Sequence, residues 1–205
     1  MPAGMTTPLR ANTFKKLILN AGALLYDFDP STYVTVATLK TALATALADT
    51  TKTLGATRGG GTFTIAREMR QVEADGIRYR FVGDTFVDSS DAYLSATLLE
   101  LGDVNVIKAA LGTATATTTS DKTLIKMRTR IADSDYLENV CWVGDIADGG
   151  MVVIHLLNAI NTTDLTITFN DKGEATLPVE FHAYQSSVED YDYAPFEIIF
   201  LAPAA

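Results

Sequence analysis

"LTITFNDKGEATLPVEFHAY", residues 165–184, alternates with the period of a strand pair. Leu165, Ile167 and Phe169 stand against Thr166 and Thr168. After the turn "NDKG", Ala175, Leu177, Val179, Phe181 and Ala183 stand against Thr176, Glu180 and His182. Successive side chains of a strand point to opposite faces, so each strand here has one apolar and one wet face. Pro178 has no N–H to donate, which places it where the strand lacks a neighbour on one side. An antiparallel sheet with one buried face is expected.

The segments around it continue the pattern. "NVCWVGDI" (139–146) reads as a strand, and "ADGG" (147–150) as its turn. "MVVIHLLNAIN" (151–161) reads as a strand followed by a helical turn, and "EIIFLA" (197–202) as a last apolar strand. In "RQVEADGIRYRF" (70–81), Asp75-Gly76 signals a two-residue hairpin. Folding around it pairs Glu73 with Arg78 and Val72 with Tyr79, with Val72, Ala74, Ile77, Tyr79 and Phe81 on the apolar face. "DSSDAYLSATLLEL" (88–101) is a further strand. "KTLIKMRTRI" (122–131) sets Ile125, Met127 and Ile131 against Lys122, Lys126, Arg128 and Arg130.

Two stretches read as helices. Val36, Leu39, Leu43, Ala46 and Leu47 share a face over about 35–48. "DVNVIKAALG" (103–112) has Asp103 as cap, Gly112 as stop, and Val104, Ile107 and Leu111 on one face. "FKKLILNAGALLYDFD" (14–29) is a strand or a packing segment. Residues 1–13 read as a flexible arm, and 50–61 and 113–121 as mobile loops, from their small and polar composition. With 205 residues and no linker or repeat, the expectation is one domain. Its fold class is mainly β, an antiparallel β-sandwich or barrel with one or two flanking helices.

The search for chemistry excludes more than it finds. "LGATRGGGTFTI" (54–65) approaches a phosphate-binding loop, but Gly61 stands where the phosphate-gripping lysine belongs. Strands rather than a helix follow it, so its glycines lead the chain into a strand. His155, His182 and Cys141 lack metal-ligand spacing, and Cys141 reads as a small buried hydrophobe. The carboxylates Asp27/Asp29, Asp88/Asp91, Asp133/Asp135 and Glu189/Asp190/Asp192 read as solvated turns. No catalytic residue, cofactor or metal is expected. A formal charge of −9 argues against nucleic-acid binding by counterion release. No apolar run reaches spanning length and the N-terminus lacks secretory order, so a soluble cytoplasmic product is expected.

The basic row Lys126, Arg128 and Arg130 reads either as a wet sheet face or as a docking stripe for an acidic neighbour. The neighbour could be another copy of this acidic chain. Its acidic loop, "SVEDYDYAPFE" (187–197), carries Glu189, Asp190 and Asp192. Arg58, Gly59 and Gly60 in the Gly-rich segment complete the expected subunit interface.

Taken in order, the pieces resemble the major tail tube proteins of long, non-contractile-tailed bacteriophages. The likeness is carried by "LGATRGGGTFTIAREMRQVEADG", "DSSDAYLSATLLELGDVNVIKAALG", "LLNAINTTDLTITFNDKGEATLPVEFHAY" and "APFEIIF", spanning most of residues 50–200. The Thr/Ala-rich region 32–53 departs from it. The resemblance implies a structural virion protein without catalysis, forming stacked, usually hexameric, rings. DNA would leave through the lumen without specific binding. Tape measure, tail tip and tail terminator proteins would be its partners, and the virion tail its location after assembly in the host cytoplasm. Two alternatives are a β-sandwich adhesion module, with Tyr184, Tyr191, Tyr193 and Phe196 as its glycan platform, and the inner tube of a secretion system or contractile tail.

Overall fold

The computed structural model describes residues 12–73, 75–76, 78–186 and 193–203. The expected N-terminal arm therefore lies almost wholly outside the described residues, as do Glu189, Asp190, Tyr191 and Asp192. The strands are β1 (Ile18–Leu25), β2 (Thr57–Gln71), β3 (Thr85–Leu98), β4 (Ala114–Thr119), β5 (Lys122–Met127), β6 (Leu137–Ile146), β7 (Met151–Asn161), β8 (Leu177–Tyr184) and β9 (Phe196–Leu201). The helices are α1 (Val36–Leu47) and α2 (Val104–Leu111), and short 3₁₀ turns lie at Thr13–Lys16, Pro30–Thr32 and Asp133–Asp135. The architecture is mainly β, antiparallel and sandwich-like with two helices.

The main sheet runs β1-β6-β7-β8-β3-β2, and β4-β5 form a separate ribbon. β7 has β6 along one side; on the other, β9 pairs with Met151–Leu156 and β8 with Asn158–Asn161. The sheet curls until Gly60 of β2 comes beside Ala21 of β1. Inside the curl lies one core: Leu94 and Leu98 of β3, Leu177, Val179 and Phe181 of β8, Val140 of β6, Leu156 of β7, and Val106 and Ala109 of α2. Each such side chain contributes about 1.5–3 kcal/mol on leaving water.

A second apolar layer explains why β7 reads continuously hydrophobic. Its opposite face, with Cys141 and Val143 of β6 and Leu25 of β1, packs under Val36, Leu39 and Ala46 of α1. The region 32–53 thus has a structural task, covering the outer face of β1, β6, β7 and β9. Thr35 caps α1 by accepting from Thr38 N at 3.2 Å. Leu47, read onto the helical face, is exposed, while Leu43 packs at the edge of the layer.

Several expectations change. The "MVVIHLLNAIN" segment is strand throughout, because burial on both faces mimics a helix run in sequence. The 113–121 loop is instead β4 plus a turn at Ser120-Asp121, paired in register from Ala114↔Met127 to Thr119↔Lys122. Alternating β-branched threonines favour a strand. The 50–61 segment is anchored: Leu54 is fully buried, its N–H donates to Leu24 O at 3.1 Å, and β2 begins at Thr57. The helix α2 buries Val106, Ala109 and Ala110, not the Val104, Ile107 and Leu111 face. The "NDKG" turn forms, but Leu165–Phe169 makes only the Thr168↔Thr176 bridge, since β8 is taken up by β3 and β7. The reading of Pro178 stands, because β7 leaves β8 at Phe181 and Pro178 has β3 alone beside it.

One joint holds β1 to β6. Trp142 Nε1 donates to Ala21 O at 2.8 Å, and its ring lies across Gly22, whose φ is +72°. A Cβ on Gly22 would sit 2.4 Å from the indole. Gly22→Ala should therefore cost about 2–5 kcal/mol, summing left-handed backbone strain and overpacking. Urea unfolding followed by the fluorescence of Trp142, the single tryptophan, measures it.

Candidate interaction surface

The long β2–β3 hairpin projects from the body. Coming from the body, β8 supports β3 only as far as Tyr93↔His182. From Ala66 to Gln71, paired with Thr85 to Asp91, the hairpin has no third strand. At about 3.3 Å per residue that is roughly 20 Å of free arm before the tip. Asp75-Gly76 does form a turn, with Gly76 at φ +88°, but the expected pairing of Glu73 with Arg78 and Val72 with Tyr79 is absent from the ladder. The last ladder pair is Gln71↔Thr85, and the described residues 72–73, 75–76 and 78–84 lie beyond it in the tip. Asp84 closes it: its carboxylate accepts from Phe81 N at 3.0 Å, Gln71 Nε2 at 2.8 Å and Thr85 Oγ1 at 2.8 Å. Those bonds hold the Asp84 carboxyl below its ordinary value. Ala74 and Ile77, expected on the apolar face, lie outside the described residues.

The arm is apolar where it meets water. Met69 and Val87 are cross-strand neighbours at 64% and 56% exposure. Phe86 stands opposite Arg70 on the other face, and Tyr79, Phe81 and Val82 crown the tip, all exposed. A two-stranded ribbon is marginal alone in water. One with exposed apolar side chains on both faces marks a contact surface. Arg70 Nε bridges to both oxygens of Asp88 at 3.1–3.2 Å, stiffening the bulge beside Met69.

The outer edge of β2 is the second feature. β2 is a 15-residue edge strand containing neither proline nor lysine. Its pairing with β3 is regular from Gly61 to Glu68. Such an edge offers unpaired backbone groups to another strand.

The sequence-derived interface residues divide into two groups. Lys126 is exposed on β5, sharing a strand face with Lys122. The basic row breaks at Met127, where β5 ends. Beyond it Arg128 binds Asp135 within the chain, and its N–H donates to Thr113 O at 2.9 Å. Arg130 is exposed, and neither it nor Lys126 forms an ion pair with a described residue. Arg128 lines a groove of about 540 Å³ with Met127, Ile131, Leu165 and Tyr184. Arg58, Gly59 and Gly60 line a second groove of about 280 Å³ beside Pro178 and Glu180. Arg58 is paired with Glu174.

Most carboxylates are occupied by local contacts. Asp27 meets Lys52 at 3.3 Å, Asp29 accepts from Ser31 N at 2.9 Å, and Asp135 accepts from Ala132 N at 2.8 Å. Cys141 is buried with Sγ 3.0 Å from Phe28 O, and burial raises its thiol pKa far above the ordinary range. Among the described residues no three His, Cys, Asp or Glu side chains converge as metal ligands. No described helix is long and apolar enough to cross a membrane. No known family matches the chain, and no characterised protein matches it in sequence.

His155 is 2% exposed, with Nε2 at 2.9 Å from Asn139 Oδ1 and Nδ1 at 3.5 Å from Glu197 Oε2. Burial pushes the imidazole below its ordinary value, with Glu197 and Asp29 opposing. The unfolded chain takes up this proton first as pH falls. The stabilising contribution of neutral His155 is thus present above about 6.5, the ordinary value, and lost below it. The urea midpoint should fall between pH 7 and 5.5, and His155→Gln should shrink that fall.

Proposed function

We propose that this chain is a structural subunit that assembles with copies of itself into stacked rings, forming a tube like those of non-contractile phage tails. The observation that carries the reading is the bare β2–β3 arm, whose apolar side chains have no partner within the described chain. A closed ring uses heterologous contacts, one patch on a subunit meeting a different patch on the next. An arm and an unguarded strand edge are two such patches. The order of sequence segments that resembles the tail tube proteins supports the same reading.

The wet face of β2, β3 and β8 suits a channel for DNA. It carries Thr62, Thr64, Ser89, Asp91, Ser95 and Glu180, hydroxyls and carboxylates, with the His182 ring held between Asp91 and Glu180. Such a surface repels phosphate and lets it pass. The chain would act in the virion tail without catalysis, with tape measure, tip and terminator proteins at its ends. An inner tube of a secretion system or contractile tail would assemble by the same means. The glycan-platform alternative loses support, because Tyr184 packs edge-on to Tyr136 at 5.0 Å and Phe196 to Phe63 at 5.3 Å.

Negative-stain electron microscopy across a concentration series, with light scattering, tests the proposal. The parent should form hollow rings or tubes. Met69→Lys with Val87→Glu should remain monomeric while keeping the parent's unfolding free energy within about 1 kcal/mol, since both sites are exposed and the new charges are opposite in sign. A parent that stays monomeric at every concentration, even when seeded with preformed tails, overturns the reading.

The basic residues give a separate expectation. Lys126→Glu with Arg130→Glu should weaken assembly at low salt, with a smaller effect at high salt, if the row docks an acidic neighbour. Unchanged assembly at both salt concentrations identifies the row as a wet face.

A further inference from the structure

His182 stands where the arm leaves the body. Tyr93↔His182 is the β3–β8 pair nearest the arm, and beyond it β3 has only β2 beside it. The ring stacks on Tyr93 with centroids 4.8 Å apart and planes 23° apart. Its Nδ1 lies 2.8 Å from Asp91 Oδ2, on the first turn-ward residue of that face of the arm. Its Nε2 lies 2.9 Å from Glu180 Oε1 on β8 itself. The side chain is 17% exposed.

An ionised carboxylate only accepts hydrogen bonds, and a neutral imidazole has one N–H to give. Two carboxylates at hydrogen-bond distance from the two ring nitrogens are both satisfied only by the doubly protonated ring. With one proton, one carboxylate faces a nitrogen lone pair. No described Lys or Arg forms an ion pair with either carboxylate. From β3 the facing titratable groups are Asp91 and Tyr93; from β8 they are Glu180 and Tyr184. From β2, Thr64 and Ala66 stand opposite Tyr93 and Asp91, and Glu68, one pair further out, accepts from Ser89 Oγ at 3.1 Å. From β7, Ile160 is the partner of His182.

We propose that Asp91, His182 and Glu180 form a proton-dependent clasp at the root of the arm. The doubly protonated ring ties β3 to β8 and holds the arm at a set angle to the body. Loss of one proton leaves a single N–H for two carboxylates, and the root is freed when Glu180 of the same strand takes it and the Asp91 tie between β3 and β8 is given up. The clasp belongs to the single subunit and stands whether or not the chain builds a tube. It gives the arm two mechanical states selected by pH.

Amide hydrogen exchange tests this on the full chain, at a concentration where light scattering shows monomer. Exchange is expressed as protection factors at each pH, which removes the intrinsic rate. Protection of residues 89–95 should fall about tenfold or more from pH 5.5 to 8.5, the scale of one charge-assisted hydrogen bond. Residues 139–143, beside His155, serve as control and should not follow. His182→Gln should give a flat profile. Asp91→Ala, the second variant should the first fail to fold by circular dichroism, has no group to meet the ring and should stay at the low-protection level throughout. No pH dependence in the parent, or the same fall in either variant, overturns the clasp.

Discussion

β6 and β7 are buried on both faces, and the remainder of the structure is arranged around that requirement. Their inner face closes on β3, β8 and α2, and their outer face lies under α1. A sheet with one wet face would have left Cys141, Val143, Met151 and Val153 in water, at about 25 cal/mol for each Å² of apolar surface. The Thr/Ala-rich helix, which carries no recognisable chemistry, is therefore part of the foundation. The small residues of α1 and the wide curl of the sheet follow from fitting a helix against strands already packed from beneath.

Above that foundation the hydrogen-bonding needs of strands govern the surface. β8 is held between β3 and β7 only where both reach it, and Pro178 occupies the stretch where β7 is absent. β2 ends the order of the sheet; past Gly60, which comes beside Ala21 of β1, its outer edge pairs with no described strand. The hairpin it forms with β3 continues past the last supporting strand, carrying Met69, Phe86 and Val87 into solvent. Stability of the single chain does not call for those side chains. Their exposure makes sense as contact surface, which ties the fold to the proposed assembly.

Much of the framework was readable from residue order. The cap of α2 at Asp103, its stop at Gly112, and the alternation of Leu177, Val179 and Phe181 all appear where local chemistry places them. The misreadings have physical causes. β7 looked partly helical because an element buried on both faces loses its period. β4 looked like a loop because threonine and alanine carry little hydrophobic contrast. Asp75-Gly76 suggested a tight turn, but the Asp84 carboxylate organises a longer tip around backbone and side-chain donors remote from that dipeptide. Of the surface residues singled out from charge, Arg58 and Arg128 turned out to be held by Glu174 and Asp135. The apolar arm was hidden, since its residues read as an ordinary half-buried strand pair.

The sequence by itself determined both helices and the strands with strong side-chain alternation, such as β3 and β8, because caps, turns and side-chain period are local and act within a few residues. It also determined the absence of recognisable catalytic spacing in a chain of net charge −9. Tertiary structure alone decided which apolar faces meet. Val72, Phe81 and Phe86 are as hydrophobic as Leu94 and Phe181, yet the first three stand in water and the last two in the core. The difference lies in whether a third strand reaches them. It likewise decided that Asp91, 91 residues away in the chain, meets the His182 ring whose other nitrogen faces Glu180. Strand neighbours are set by long-range pairing, and that pairing is a property of the closed sheet rather than of any one segment.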